Sequence, residues 1–298
     1  MSTLPYPERA AEIRRLFKYL LKKHEKLFDY NARYDIEETV QSYLKELGFG
    51  TGRLSKSKLH PNPIALFDIY SMARACNQVN EACNKLWATM ELAYATSPKI
   101  RYRKYDPIGE SFDSAFLLGS LIPTLYYSQL SAILACLSTF GCISLRDAYL
   151  AYNVVRTKKG WRILERKKYI KDTFGFDLSV GWHSQLIQLL RGFKEAVSDF
   201  PAVNHSDTVK LRELRDITHY EILSDVSAAK VAGIERYFEF LPLVVNTINS
   251  SLGTLSRVFG LPAYSGAERF RELHDNLSLL YRSYKKKMPK QSFNKVEF

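Results

Sequence analysis

The chain has 298 residues, 46% of them hydrophobic and 13% aromatic, which is enough for a sizeable core and excludes a disordered protein. Lys and Arg number 43 against 31 Asp and Glu, and the net charge of +12 favours an anionic partner such as nucleic acid, a nucleotide or a membrane surface. There is no P-loop, no Rossmann glycine pattern, no H-E-x-x-H, no G-x-S-x-G and no EF-hand loop, so the common nucleotide-hydrolysing and metal-dependent chemistries find no foothold.

Apolar residues recur mostly at spacings of three and four, which predicts helix along most of the chain. The opening stretch MSTLPYPERAAEIRRLFKYLLKKHEKL is charged from Glu8 onward and lacks an apolar core, so it reads as a basic amphipathic helix over 8–28 and not as a signal peptide. A second helix is expected over 35–47, with acidic residues in its first turn and Gly48 past its end. A connection bearing Gly, Ser and Pro follows (48–63), then a long helix over 64–96 and a basic loop over 97–107.

Residues 115–145 carry no charge, a run long enough to span a bilayer at about 20 residues. Yet Pro123 and Gln129 interrupt it, and Ser120, Thr124, Ser128 and Ser131 recur at helical spacing. Such a stripe of small hydroxyl residues lets a neighbouring helix approach closely. The stretch therefore predicts a buried core helix, with membrane anchoring as the alternative. Cys76, Cys83, Cys136 and Cys142 include no C-x-x-C and no histidine at a zinc spacing, so they read as buried free thiols of a reducing, cytoplasmic setting, with no metal and no cofactor expected.

In residues 149–174, VVRTKKGWRIL can form a hairpin around Lys159-Gly160, whereas WRILERKKYIKDTF can form a short helix, and the two readings overlap at WRIL. Between Arg156 and Asp172 there are eight basic and two acidic residues. Arg156, Lys158, Lys159, Arg162, Lys167 and Lys168 would neutralise phosphates there, and Trp161 would offer a face for stacking bases; a plain solvated surface is the alternative. Further helices are expected over 184–200, after the polar loop AVNHSD, over 227–259 and over 266–284, before a basic tail. The expected architecture is all-α, with a helical N-terminal region (1–110) and a helical bundle (111–298), or one continuous domain.

The stretch RELRDITHYEIL (212–223) speaks most directly to chemistry. At about 100° per residue Arg212, Arg215, Asp216 and His219 share one arc, and Leu211, Leu214 and Ile217 take the opposite side. Imidazole exchanges protons near neutral pH, and an arginine fork beside it holds a phosphate and stabilises developing charge. That combination suits metal-free attack of a ribose 2′-hydroxyl on its own phosphate. LRELRDITHYEIL resembles the signature of the HEPN superfamily (higher eukaryotes and prokaryotes nucleotide-binding domains): Arg, four to six residues, then His, often with Asn, Asp or His after the Arg. Arg212 has the spacing to His219, and Arg215 has the acidic follower, so both stay candidates. The resemblance implies a dimeric, HEPN-like helical bundle that cleaves or binds RNA, with an antitoxin or phage-defence partner. Arg269 and His274 match the spacing too, but Phe270 follows the arginine within an uninterrupted helix, which ranks that pair lower. A non-catalytic basic module binding nucleic acid or a partner protein is the rival reading.

Overall fold

In the computed structural model, residues 30–49, 63–96, 114–146, 151–157, 160–176, 181–197, 200–201, 203–220, 234–259, 265–284 and 293–296 are described. The helix expected over 8–28 lies outside them. The described residues form eight helices and three strands in the order α1 (Tyr30–Glu46), α2 (Pro63–Thr96), α3 (Ser114–Thr139), β1 (Cys142–Arg146), β2 (Ala151–Thr157), β3 (Gly160–Glu165), α4 (Arg166–Phe174), α5 (Trp182–Ala196), α6 (His205–Tyr220), α7 (Ile234–Phe259) and α8 (Ser265–Tyr284). The fold is mostly all-α, with one small sheet.

Local chemistry sets several boundaries. Helix α1 stops where Gly48 takes a left-handed conformation (φ 86°), which lets the Phe49 N–H reach back to the Leu44 carbonyl at 2.9 Å. The apolar run expected to stay helical to residue 145 instead ends α3 at Thr139. Gly141 (φ 71°) turns the chain, and residues 142–146 become a strand. A short apolar run fits a buried strand as well as a buried helix, and pairing with β2 decides it. Among the described residues, Ser120–Thr139 is the one stretch long and apolar enough to cross a membrane, and 78% of it is buried within the protein.

The sheet is antiparallel in the order β1-β2-β3, and Thr157 pairs with Gly160, so the hairpin falls where Lys159-Gly160 predicts it. Alternation along the strands gives it two unlike faces. One carries Ile143, Leu145, Tyr152, Val154 and Trp161, which form a core with Val40, Leu44, Phe67 and Tyr70. The other carries Cys142, Ser144 and Asn153, and the buried Arg166 of α4 reaches across to it.

The chain divides into two compact units, each built from three separate segments: 1–78, 133–202 and 253–264 in one, 79–132, 203–252 and 265–298 in the other. Three of the dividing positions fall inside the long helices α2, α3 and α7. The first unit holds the sheet. In the second, the hydroxyl stripe of α3 does what its spacing predicts: Ser128 Oγ donates to the Ala82 carbonyl (2.8 Å) and Lys85 Nζ reaches Ser131 Oγ (3.2 Å), bringing α2 against α3. All four cysteines are buried free thiols. Burial pushes the Cys83 and Cys142 thiols up to about 12, so both stay protonated.

Candidate functional site

The polar loop before α6 starts that helix. Asn204 Oδ1 accepts from the Asp207 N–H (3.2 Å), and Thr208 Oγ1 donates to the Asn204 carbonyl (2.7 Å). The helix then runs unbroken through Arg212, Arg215, Asp216 and His219. Its orientation corrects the helical-wheel expectation. Leu211 is buried, but Ile217 is 44% exposed, and the stripe turned inward is Thr208, Leu211, Arg215 and Thr218. Their spacing of three, four and three makes an equally regular helical face.

Arg215 is only 6% exposed. Its guanidinium carbon lies 5.1 Å from the centroid of Tyr126 and 5.5 Å from that of Tyr127, and Lys85 Nζ lies 5.8 Å from the Tyr127 ring. Cation–π attraction of this kind contributes about 0.5–2 kcal/mol per pair, the upper end when desolvated. Arg215 Nη1 also donates to Asp216 Oδ1 at 2.6 Å, and Asp216 Oδ2 stands 3.9 Å from Arg212 Nε. One carboxylate thus sits between two guanidiniums. Burial holds the Tyr126 hydroxyl well above its ordinary range, against the opposing pull of Arg215 and Arg212, so it remains a neutral phenol. Arg212 is the more accessible arginine, half-buried with 22% of its side chain exposed. The His219 side chain lies outside the described residues.

Sequence reasoning missed Tyr126 and Tyr127. An adjacent tyrosine pair in an uncharged helix offers ring faces to a cation, but nothing local says that the cation comes from α6. Among the described residues no group of three His, Cys, Asp or Glu side chains is placed to hold a metal ion.

The basic segment in the first unit is narrower than its charge count suggests. Lys158 and Lys159 lie outside the described residues. Trp161 is 3% exposed, packed on Phe67 with its Nε1 donating to Asp68 Oδ1 (3.1 Å), so the stacking role expected of it is corrected: its ring belongs to the core. Arg156 pairs with the same carboxylate at 3.3 Å. Arg162 is half-buried, and Lys167 and Lys168 are exposed on α4. In the second unit, the His274 ring contacts Phe270 and Phe293, and its Nε2 lies 3.1 Å from the Asn294 carbonyl oxygen.

Comparisons of the chain with protein-family models, with curated proteins and with solved structures find no match.

Proposed function

We propose that this protein binds RNA and cleaves it without a metal ion, through an HEPN-like site on α6. Arg212 holds the scissile phosphate and His219 takes the proton of the neighbouring 2′-hydroxyl. The products are a 2′,3′-cyclic phosphate and a 5′-hydroxyl, the leaving oxygen being protonated from water. The observation that carries this reading is the placement of Asp216, whose carboxylate lies against both guanidiniums on the helix that also bears His219. Arg215, buried on its tyrosines, positions that carboxylate. Arg212 has the allowed spacing to His219, about two turns along the helix, and enough exposure to meet a phosphate. A homodimer and an antitoxin or defence-system partner belong to the same reading.

The test is cleavage of a labelled RNA in EDTA. Wild type and His274→Ala should cut; His219→Ala and Arg212→Ala should lose about a hundredfold to ten-thousandfold in rate, with unchanged melting temperatures. Absence of EDTA-resistant cleavage by wild type ends the nuclease reading. A second reading, a non-catalytic nucleic-acid module, is favoured by the burial of Arg215 and the exposure of Lys167 and Lys168. On that reading, Lys167→Gln with Lys168→Gln should lower the salt-dependence slope of RNA binding by about 1–2. An unchanged slope would leave those lysines a solvated face.

A further inference from the structure

Arg166, the first residue of α4, is fully buried, the most enclosed charged side chain among the described residues. Its Nε donates to Asn153 Oδ1 (2.9 Å), its Nη2 to the carbonyls of Leu145 and Tyr152 (both 3.3 Å), and its guanidinium carbon lies 5.4 Å from the Trp182 ring centroid. Among the described residues no carboxylate pairs with it. Removing a guanidinium from water without a counter-charge costs more than neutral hydrogen bonds return. The nearby Cys142 thiol cannot serve, because burial holds it protonated.

The surroundings are short of acceptors in the same way. Ser144 stands directly opposite Asn153 in the sheet, and Tyr169 lies one helical turn beyond Arg166. Ser144 Oγ, Asn153 Nδ2, Arg166 Nη1, Tyr169 OH and Trp182 Nε1 are all buried and find no hydrogen-bond partner among the described residues. Each carries a donor hydrogen, and Asn153's own oxygen is already taken by Arg166. Buried polar groups are almost always satisfied, and a cluster of idle donors around an unpaired cation calls for an anion.

We propose that Arg166, Ser144, Asn153, Tyr169 and Trp182 form a buried binding site for one small oxyanion, a phosphate or carboxylate group. Arg166 supplies the charge and the other four supply directional hydrogen bonds. Trp182 is half-buried and the others are buried, so an occupant would exchange slowly with solvent. Such an ion survives purification.

The experiment starts from protein exchanged into Tris chloride, then denatured, with the released ions identified by ion chromatography and mass spectrometry. Wild type should release a stoichiometric oxyanion, and Arg166→Met should release none. Protein refolded without anion should gain thermal stability from inorganic phosphate, acetate or a nucleoside monophosphate, the best of the three separating a free ion from the head group of a larger ligand. That gain should vanish in Arg166→Met, weaken in Ser144→Ala and Trp182→Phe, and persist in Lys194→Gln, an exposed position of α5 with no part in the site. Should Arg166→Met fail to fold, the Ser144 and Trp182 variants decide. Two results overturn the proposal. One is wild type releasing no oxyanion and gaining no stability through these residues. The other is wild type releasing none while Asp147→Asn or Asp177→Asn, at positions outside the described residues, destabilises as Arg166→Met does, which assigns the counter-charge to the chain itself.

Discussion

Arg215 turns its charge inward, and what it touches there distinguishes it from its neighbour three residues earlier. Two ring faces and the Asp216 carboxylate replace water around its guanidinium, and the side chain is buried on the same helix face as Leu211 and Thr218. Arg215→Ala should therefore cost about 2–4 kcal/mol of stability through the cavity and the lost ring contacts. Arg212→Ala should cost less than about 1 kcal/mol, since a 3.9 Å pair with a half-exposed carboxylate is worth little. Denaturant melts of the two variants check this, and equal losses would mean that both arginines are structural. Asp68 makes a residue-scale case of the opposite kind. Burial raises its pKa above the ordinary 3.8, with Arg156 and the Trp161 indole pulling the other way. The folded carboxyl therefore holds its proton where the unfolded one has lost it. Its contribution to stability is complete below the ordinary value and is lost as pH rises through the raised one. Asp68→Asn keeps an acceptor for Trp161 Nε1 and removes that loss. The variant should melt at or above the wild-type temperature at neutral pH, and its advantage should disappear in acid. A variant several degrees less stable at neutral pH would show that the 3.3 Å pair with Arg156 outweighs desolvation.

At the scale of elements, glycines mark where helices meet other parts of the fold. A Cβ on Gly192 of α5 would stand 2.5 Å from the Phe174 ring, whereas one on Gly175, just past α4, would meet nothing within 4 Å. Gly175 is left-handed instead (φ 73°). Gly192→Ala should thus cost about 1–3 kcal/mol by overpacking, and Gly175→Ala about 1 kcal/mol through backbone strain alone. Thermal melts that rank them the other way round would mean that the Phe174 ring yields easily. Such packing partners are what the sequence conceals. The hairpin turn was legible, because Lys159-Gly160 is a local signal, but WRILERKKYIKDTF did not show where strand gives way to helix. The close approach of some helix to α3 was legible too, from its hydroxyl stripe, though not that the neighbour would be α2. The end of α3 was not, since an uncharged run suits strand and helix alike. Nor was the buried face of α6, because choosing Arg215 over Ile217 depends on two tyrosines of a helix far away in the chain. For the candidate site, the motif residues could be read and their exposure could not.

For the whole molecule, the decisive feature is that neither compact unit is a single stretch of chain. The second unit takes 79–132, 203–252 and 265–298, so a fragment beginning at residue 111, where composition suggests a boundary, leaves out its first part. That missing part is not peripheral. Ala82, Leu86, Met90 and Ala93 of α2 are buried, Ala82 accepts from Ser128, and Thr89 Oγ1 lies 3.4 Å from the hydroxyl of the buried Tyr237. Burying a single Leu or Met side chain contributes about 1.5–3 kcal/mol, and a folded domain holds only about 5–15 kcal/mol in reserve. Losing the whole helical face should therefore exceed what the rest of the unit can supply. Residues 111–298 alone should keep helical circular dichroism but melt without a cooperative transition. Supplying residues 1–110 as a separate chain should restore one, because the missing part of α2 returns with its partners intact. A fragment of 111–298 that melts sharply within a few degrees of the full chain would show that the second unit closes its core without α2, and that residue 110 is a true domain boundary.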